Sequence, residues 1–134
     1  MTRNATGTFE IKSWDEKPVD EREGLPRITR ATVTQALHGD IEGESTIEYL
    51  MVYRGDGSAT ITGVQRIIGS IGGRSGSFVL LGTGSYEHGS GIAKGTWTIV
   101  PYSGTGELKA LRGQGEYFAQ KEPKGSIMLD YDLD

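Results

Sequence analysis

Residues 43–69 read GESTIEYLMVYRGDGSATITGVQRIIG. Two runs of β-branched and aromatic residues flank Arg54-Gly55-Asp56-Gly57, where Asp-Gly supplies the positive φ that a tight hairpin turn needs. Folding the chain about Asp56 sets Glu48 near Val64 and Thr46 near Arg66. Alternation then sorts the pair into two faces. One face carries Ile47, Tyr49, Met51 and Tyr53 with Ile61, Gly63, Gln65 and Ile67. The other carries Glu44, Thr46, Glu48, Leu50 and Val52 with Val64, Arg66 and Ile68. The first is the more apolar and is assigned to the interior.

Outward from this hairpin, Gly, Pro, Asp and Asn punctuate the remainder. Strands are predicted at 5–14, 28–38, 43–54, 58–69, 75–86, 91–100, 107–118 and 125–133. The stretch Glu16–Pro26 (EKPVDEREGLP) is charged and proline-bounded, and is predicted as a loop with at most a short helical turn. Gly72-Gly73 and His88-Gly89 mark the next two connections. A turn at Gly72-Gly73 adds Phe78 and Leu80 to the interior set, and Ala93, Trp97, Ile99, Phe9 and Ile11 join it. No window sustains a 3.6-residue apolar period, so little helix is expected.

The chain has 134 residues, 21 of them glycine, and the length suits one domain over 1–134. That glycine share is more than twice the usual ~7%. No Gly-X-Y period accompanies it, which excludes collagen, and the intervening aromatics exclude a flexible linker. Strands cover well over half of the chain, against the ordinary ~20–25%. Such an excess is expected when a sheet closes on itself. The fold class is therefore all-β: an eight-stranded antiparallel up-and-down barrel, the size whose interior just fits side chains or one small ligand.

Net charge is −4 with a pI near 5.2, which argues against nucleic acid as a partner. Cysteine is absent, which excludes disulfides, thiolate catalysis and cysteine-ligated metals. The N-terminal MTRNATGTFEI has no apolar leader, and no run approaches the ~18 apolar residues that span a membrane. A cytoplasmic protein with no membrane partner is expected.

Several motifs dissolve on inspection. Gly104-Thr105-Gly106 lacks the third glycine of a dinucleotide loop, since Lys109 stands there, and no βαβ unit surrounds it. GSIGGRSG (69–76) lacks the Gly-Lys-Ser/Thr ending of a phosphate loop. His38 and His88 each sit beside a turn glycine, with no spacing that enforces a metal site. No GxSxG elbow occurs. No metal or other cofactor is expected.

Two sets of residues remain. Glu44, Glu48 and Arg66 share a face and form the one charged constellation, read as an ion pair at a subunit contact or, with the faces inverted, as a catalytic carboxylate and its partner. Tyr49, Tyr53, Phe78, Trp97 and Tyr117 are the aromatic candidates for the lumen, as core or as the wall of a ligand pocket, with Gln65 the polar group among them. The opposite face carries Leu50, Val52, Val64, Ile68, Val79 and Leu81, and strands apolar on both faces need cover on both. A second or third copy of the chain is the expected cover, giving a homodimer or homotrimer with Glu48 and Arg66 inside the contact.

The runs GDIEGESTIEYLMVY (39–53), GVQRIIGSIGGRSGSFVL (63–80) and PYSGTGELKALRGQG (101–115) resemble a bacterial family, number 3224 among the domains of unknown function. That family is placed in the allene oxide cyclase-like barrel superfamily, and GTGELKALRG is similar to a signature of its dirigent and cyclase members. The resemblance runs from about Gly7 to the terminal LDYDL. It implies an eight-stranded barrel whose relatives bind or cyclise small apolar molecules, often as oligomers. Two positions depart from the family's pattern: Gln65-Arg66 stands for its Glu-Arg, and Leu80-Leu81-Gly82 for its Leu-Gln-His. Any acid–base role of that Glu or His is lost in this chain. The function expected is binding of a small apolar molecule in the barrel interior. The alternatives are a cofactor-free isomerase or cyclase acting by positioning alone, and a filled barrel of purely structural use.

Overall fold

The hairpin about Asp56 forms in the register that the sequence sets, with Glu48 opposite Val64 and Thr46 opposite Arg66. Its turn is a short loop in which the Arg54 amide donates to the Ser58 carbonyl at 2.8 Å and Gly57 takes φ 88°. The computed structural model, which describes residues 2–121 and 123–133, builds this hairpin into a closed antiparallel barrel. Its strands are β1 (Arg3–Asp20), β2 (Ile28–Gly39), β3 (Ile41–Tyr53), β4 (Ala59–Ile71), β5 (Arg74–Glu87), β6 (Ile92–Ile99), β7 (Arg112–Gln120) and β8 (Lys124–Asp132). Each pairs with its neighbour in sequence, and β8 returns to β1. The inside and outside faces fall as the alternation assigns them. Ile47, Tyr49, Met51, Ile61, Gln65, Ile67, Phe78, Leu80 and Trp97 are buried, whereas Leu50, Val52, Val64, Ile68 and Leu81 are exposed on the outer wall.

Two elements correct the sequence reading. The predicted loop after residue 14 is strand as far as Asp20, paired with β2 down to Asp20 opposite Ile28. Beyond Glu10 this half of β1 leaves β8 and lies along β2 alone. Charged side chains and Pro18 on a strand with a bare edge block further pairing, so the residues that read as loop are edge protection. The second correction is at 107–118. Gly106–Leu108 is a turn of 3₁₀ helix and β7 starts only at Arg112. The connector ahead of it borrows the edge of β5, with the Thr105 amide donating to the Ser77 carbonyl at 2.9 Å and Glu107 accepting from the Ser75 amide at 3.1 Å. Those bonds replace the β6 partner that the first half of β5 lacks.

The abundance of glycine has a packing cause. Around the barrel one interior row runs Tyr49, Gly63, Gly82, Trp97, Gly115, each opposite the next. A methyl group on Gly63 would lie 2.7 Å from the Tyr49 ring, and one on Gly82 would lie 2.8 Å from Trp97. Phe9 lies against Gly125 in the same manner. Tyr49, Trp97, Tyr117 and Phe9 thus lie against glycines of neighbouring strands, where a side chain would collide with the ring. This packing lets a narrow barrel hold several aromatic rings.

Candidate functional site

Alternate hairpins place β3–β4, β5–β6 and β7–β8 turns at one end of the barrel, and that end is incompletely filled. A cavity of about 110 Å3 opens there. Half of its lining residues are aromatic: Phe9 and Trp14 from β1, Tyr49 and Tyr53 from β3, Tyr86 from β5 and Tyr117 from β7. Ala93 and Ala119 face each other across β6 and β7, and their short side chains leave the space that larger residues would close. A niche of about 10 Å3 lies deeper, lined by Gln65, Trp97, Ile47 and Ile127. Phe9, Gln35, Tyr49 and Tyr117 line both spaces and form the partition between them. The Trp97 and Tyr117 rings lie 5.5 Å apart, and Trp14 lies 6.1 Å from Tyr49.

The polar groups of this lumen fall at two levels. At depth, Gln65 is 2% exposed and its Oε1 has no hydrogen-bond partner. Gln35 is held by Ser45, whose hydroxyl donates to its Oε1 at 3.4 Å. At the mouth stands Glu16, which accepts from the Tyr53 hydroxyl, from Thr29 Oγ1 at 2.7 Å and from the Trp14 indole at 2.9 Å. Arg27 stacks over the Tyr53 ring at 4.5 Å. Burial opposes the charge on Glu16. The three hydrogen bonds and the Arg27 cation outweigh it and hold the carboxyl below its ordinary range. Burial and the neighbouring carboxylate push the Tyr53 phenol up to about 12. The pair is therefore carboxylate and phenol at neutral pH, a charge-assisted clasp joining β1 to β3.

Glu16 reaches the lumen through a bulge. Ile11 pairs with Gln35 and Ser13 with Thr34, so Lys12 is an extra residue. Before it the odd-numbered Phe9 and Ile11 point inward; after it the even-numbered Trp14 and Glu16 do. Strict alternation from Phe9 puts Glu16 outside, and its segment reads as loop, so sequence reasoning missed it. Tyr86 was also missed, although it shares the parity of Phe78 and Leu80.

Of the candidates read from sequence, Tyr49, Tyr53 and Tyr117 line the cavity, and Gln65 and Trp97 line the niche. Phe78 is buried opposite Ile67, toward the closed end. Glu44, Glu48 and Arg66 lie on the outer wall. Glu48 pairs with Arg30 at 3.2 Å and accepts from Thr32, so within one chain its partner is on β2 and is not Arg66. Among the described residues no three His, Asp or Glu side chains gather as a metal site. No helix is long and apolar enough to cross a membrane.

Residues 5–131 match the family described as protein of unknown function, DUF3224. A crystal structure of a protein with unknown function from that family, from Shewanella oneidensis MR-1, superposes with a TM-score of 0.78. The two are 23% identical, over 100% of this chain and 99% of that one, a likeness that speaks for the fold. A comparison with curated proteins gives no significant match. With nearly its whole length matched, the chain belongs to the DUF3224 family.

Proposed function

We propose that the barrel binds one small apolar molecule in its open end and performs no chemistry on it. The observation that carries this reading is an aromatic-lined cavity of about 110 Å3 at one end of a barrel whose other end is filled by buried hydrophobic side chains. Drug-sized ligands occupy roughly 300–1,000 Å3, whereas an apolar cavity of about 150 Å3 takes up benzene. The size therefore favours a ring-sized molecule, or the end of a longer chain whose remainder stays outside. An isomerase or cyclase that folds a flexible substrate by positioning alone needs more room than this. The resemblance to allene oxide cyclase-like barrels agrees with a lumen site and leaves the binding reading ahead.

Trp14 and Trp97 line the two spaces and report the test. Titration with toluene, cyclohexane and short branched alkanes is expected to change tryptophan emission in a saturable way. Trp14→Phe should keep the part contributed by Trp97. A flat response to every member of the panel removes the reading.

Self-association belongs to the same proposal. Leu50, Val52, Val64, Ile68 and Leu81 are between 42% and 60% exposed on three adjacent strands, an apolar patch of the kind that marks an interface. A homodimer or homotrimer is expected in sedimentation at micromolar concentration. Leu81→Lys is expected to return it to monomer while leaving the lumen unchanged. Wild-type protein that sediments as a 14.5 kDa monomer at high concentration overturns this part.

A further inference from the structure

We infer that the Gln65 amide is the recognition group of the lumen, and that the ligand is a neutral, ring-sized apolar molecule carrying one hydroxyl group. The inference rests on the lumen being a ligand site and adds the chemistry of what enters it. Gln65 is among the most deeply buried side chains of the barrel, yet its Oε1 makes no hydrogen bond. A buried amide without a partner is costly, and a leucine of similar volume in the same place would avoid the cost. An aliphatic residue would suit a site that served packing alone. A polar one is explained when something else supplies the missing bond.

The shape of the space says what that something is. The larger cavity, at about 110 Å3, holds a six-membered ring, and the niche beside Gln65, at about 10 Å3, holds one oxygen atom. The two meet at a partition of Phe9, Gln35, Tyr49 and Tyr117. A ring in the cavity directs a single substituent at the amide when these shared side chains part to admit it. A hydroxyl both donates and accepts, so it bonds to either end of a carboxamide. Gln35, whose Oε1 accepts from Ser45, is a second amide lining the niche. Among the described residues no charged side chain lines the niche. A carboxylate or ammonium there would be a buried charge with no counterion. At the mouth the Glu16 carboxylate further disfavours an anion entering.

Calorimetric titration of the full chain with phenol, toluene and benzoate tests this. Phenol is expected to bind roughly five- to tenfold more tightly than toluene, and benzoate is expected to give no heat of binding. In Gln65→Leu the preference for phenol should vanish while toluene binding remains, and thermal stability should be at least that of the wild type. Gln65→Met serves the same purpose should the branched side chain fit poorly. Phenol and toluene bound equally by the wild type overturn the inference, as does a phenol preference that survives in both variants. In the first case Gln65 plays no part in recognition and in the second another group recognises the hydroxyl, and toluene binding leaves the lumen reading standing. Binding of none of the three removes the lumen reading together with this inference.

Discussion

The two ends of the barrel are made of the same strands and finish in opposite ways. At one end the β6–β7 connector turns inward and buries Leu108 and Leu111, which join the core with Ile41, Ile71 and Ile99. At the other end the β3–β4 and β5–β6 turns are short and bury no hydrophobic side chain, and the longer β1–β2 connection lays Arg27 over the Tyr53 ring. The mouth is instead pinned at its rim by the Glu16–Tyr53 contact, which ties β1 to β3. Strands decide that a barrel forms; connectors decide whether it is full. Among the described residues, the cavity sits at the end whose connections bury no hydrophobic side chain.

The comparison breaks first at the plug. Leu108 is fully buried, and its truncation removes apolar contacts from a site whose backbone is fixed by bonds to β5. Leu108→Ala is expected to destabilise the fold by about 2–5 kcal/mol, the usual range for such a cavity. Chemical denaturation reads this directly. A loss below ~1 kcal/mol would mean that the connector does not seal the end. Next in size is the wall between the ends. Gly63→Ala forces the Tyr49 ring to move, because the added methyl would stand 2.7 Å from it. The cost is expected at about 1–3 kcal/mol. The displaced ring should also intrude on the cavity and weaken toluene binding.

Much of this architecture is legible in the sequence, and the illegible parts share a cause. The β3–β4 register follows from turn residues and alternation within 27 residues of chain, all of it local information. The length of β1 is not local. Glu16, Lys17, Pro18 and Asp20 have the composition of a loop, and only pairing with β2 makes them strand. The bulge at Lys12 then inverts the parity, which hides Glu16 from any period-2 reading. The strand predicted at 107–118 starts five residues late, at Arg112, because Gly106–Leu108 close a 3₁₀ turn held by bonds to β5, which lies far away in sequence. For the site, alternation placed Tyr49, Tyr53, Gln65, Trp97 and Tyr117 inward. Whether they fill the lumen or wall a cavity depends on rings lying against glycines of the next strand, which no single segment specifies.

A gentler way to sharpen the contrast is to make the mouth like the plugged end. Ala93 lines the cavity beside Ala119, with little else over it. Ala93→Leu is expected to fill the space, leave stability within about 1 kcal/mol of the wild type or raise it, and abolish toluene binding. Retained binding in a folded variant would place the ligand elsewhere.

The smallest expected effect is at the rim, and pH reveals it. Folding raises the Tyr53 pKa from 10.0 to about 12, through burial first and the Glu16 carboxylate second. The folded state thus holds that proton more tightly than the unfolded chain. The resulting stability is complete below pH 10 and is lost as the pH climbs through about 12. Glu16 works at the other extreme. Its carboxyl is lowered from 4.5, so its contribution is present above that pH and is lost as acid protonates the folded state. Both side chains are partly exposed, and solvent screening limits each contribution to on the order of 1 kcal/mol. Tyr53→Phe removes the phenol and one of Glu16's three donors. It should therefore flatten the alkaline limb of a plot of denaturation midpoint against pH and soften the acid one. A variant whose alkaline limb still matches the wild type would show that the rim is not pinned by this contact.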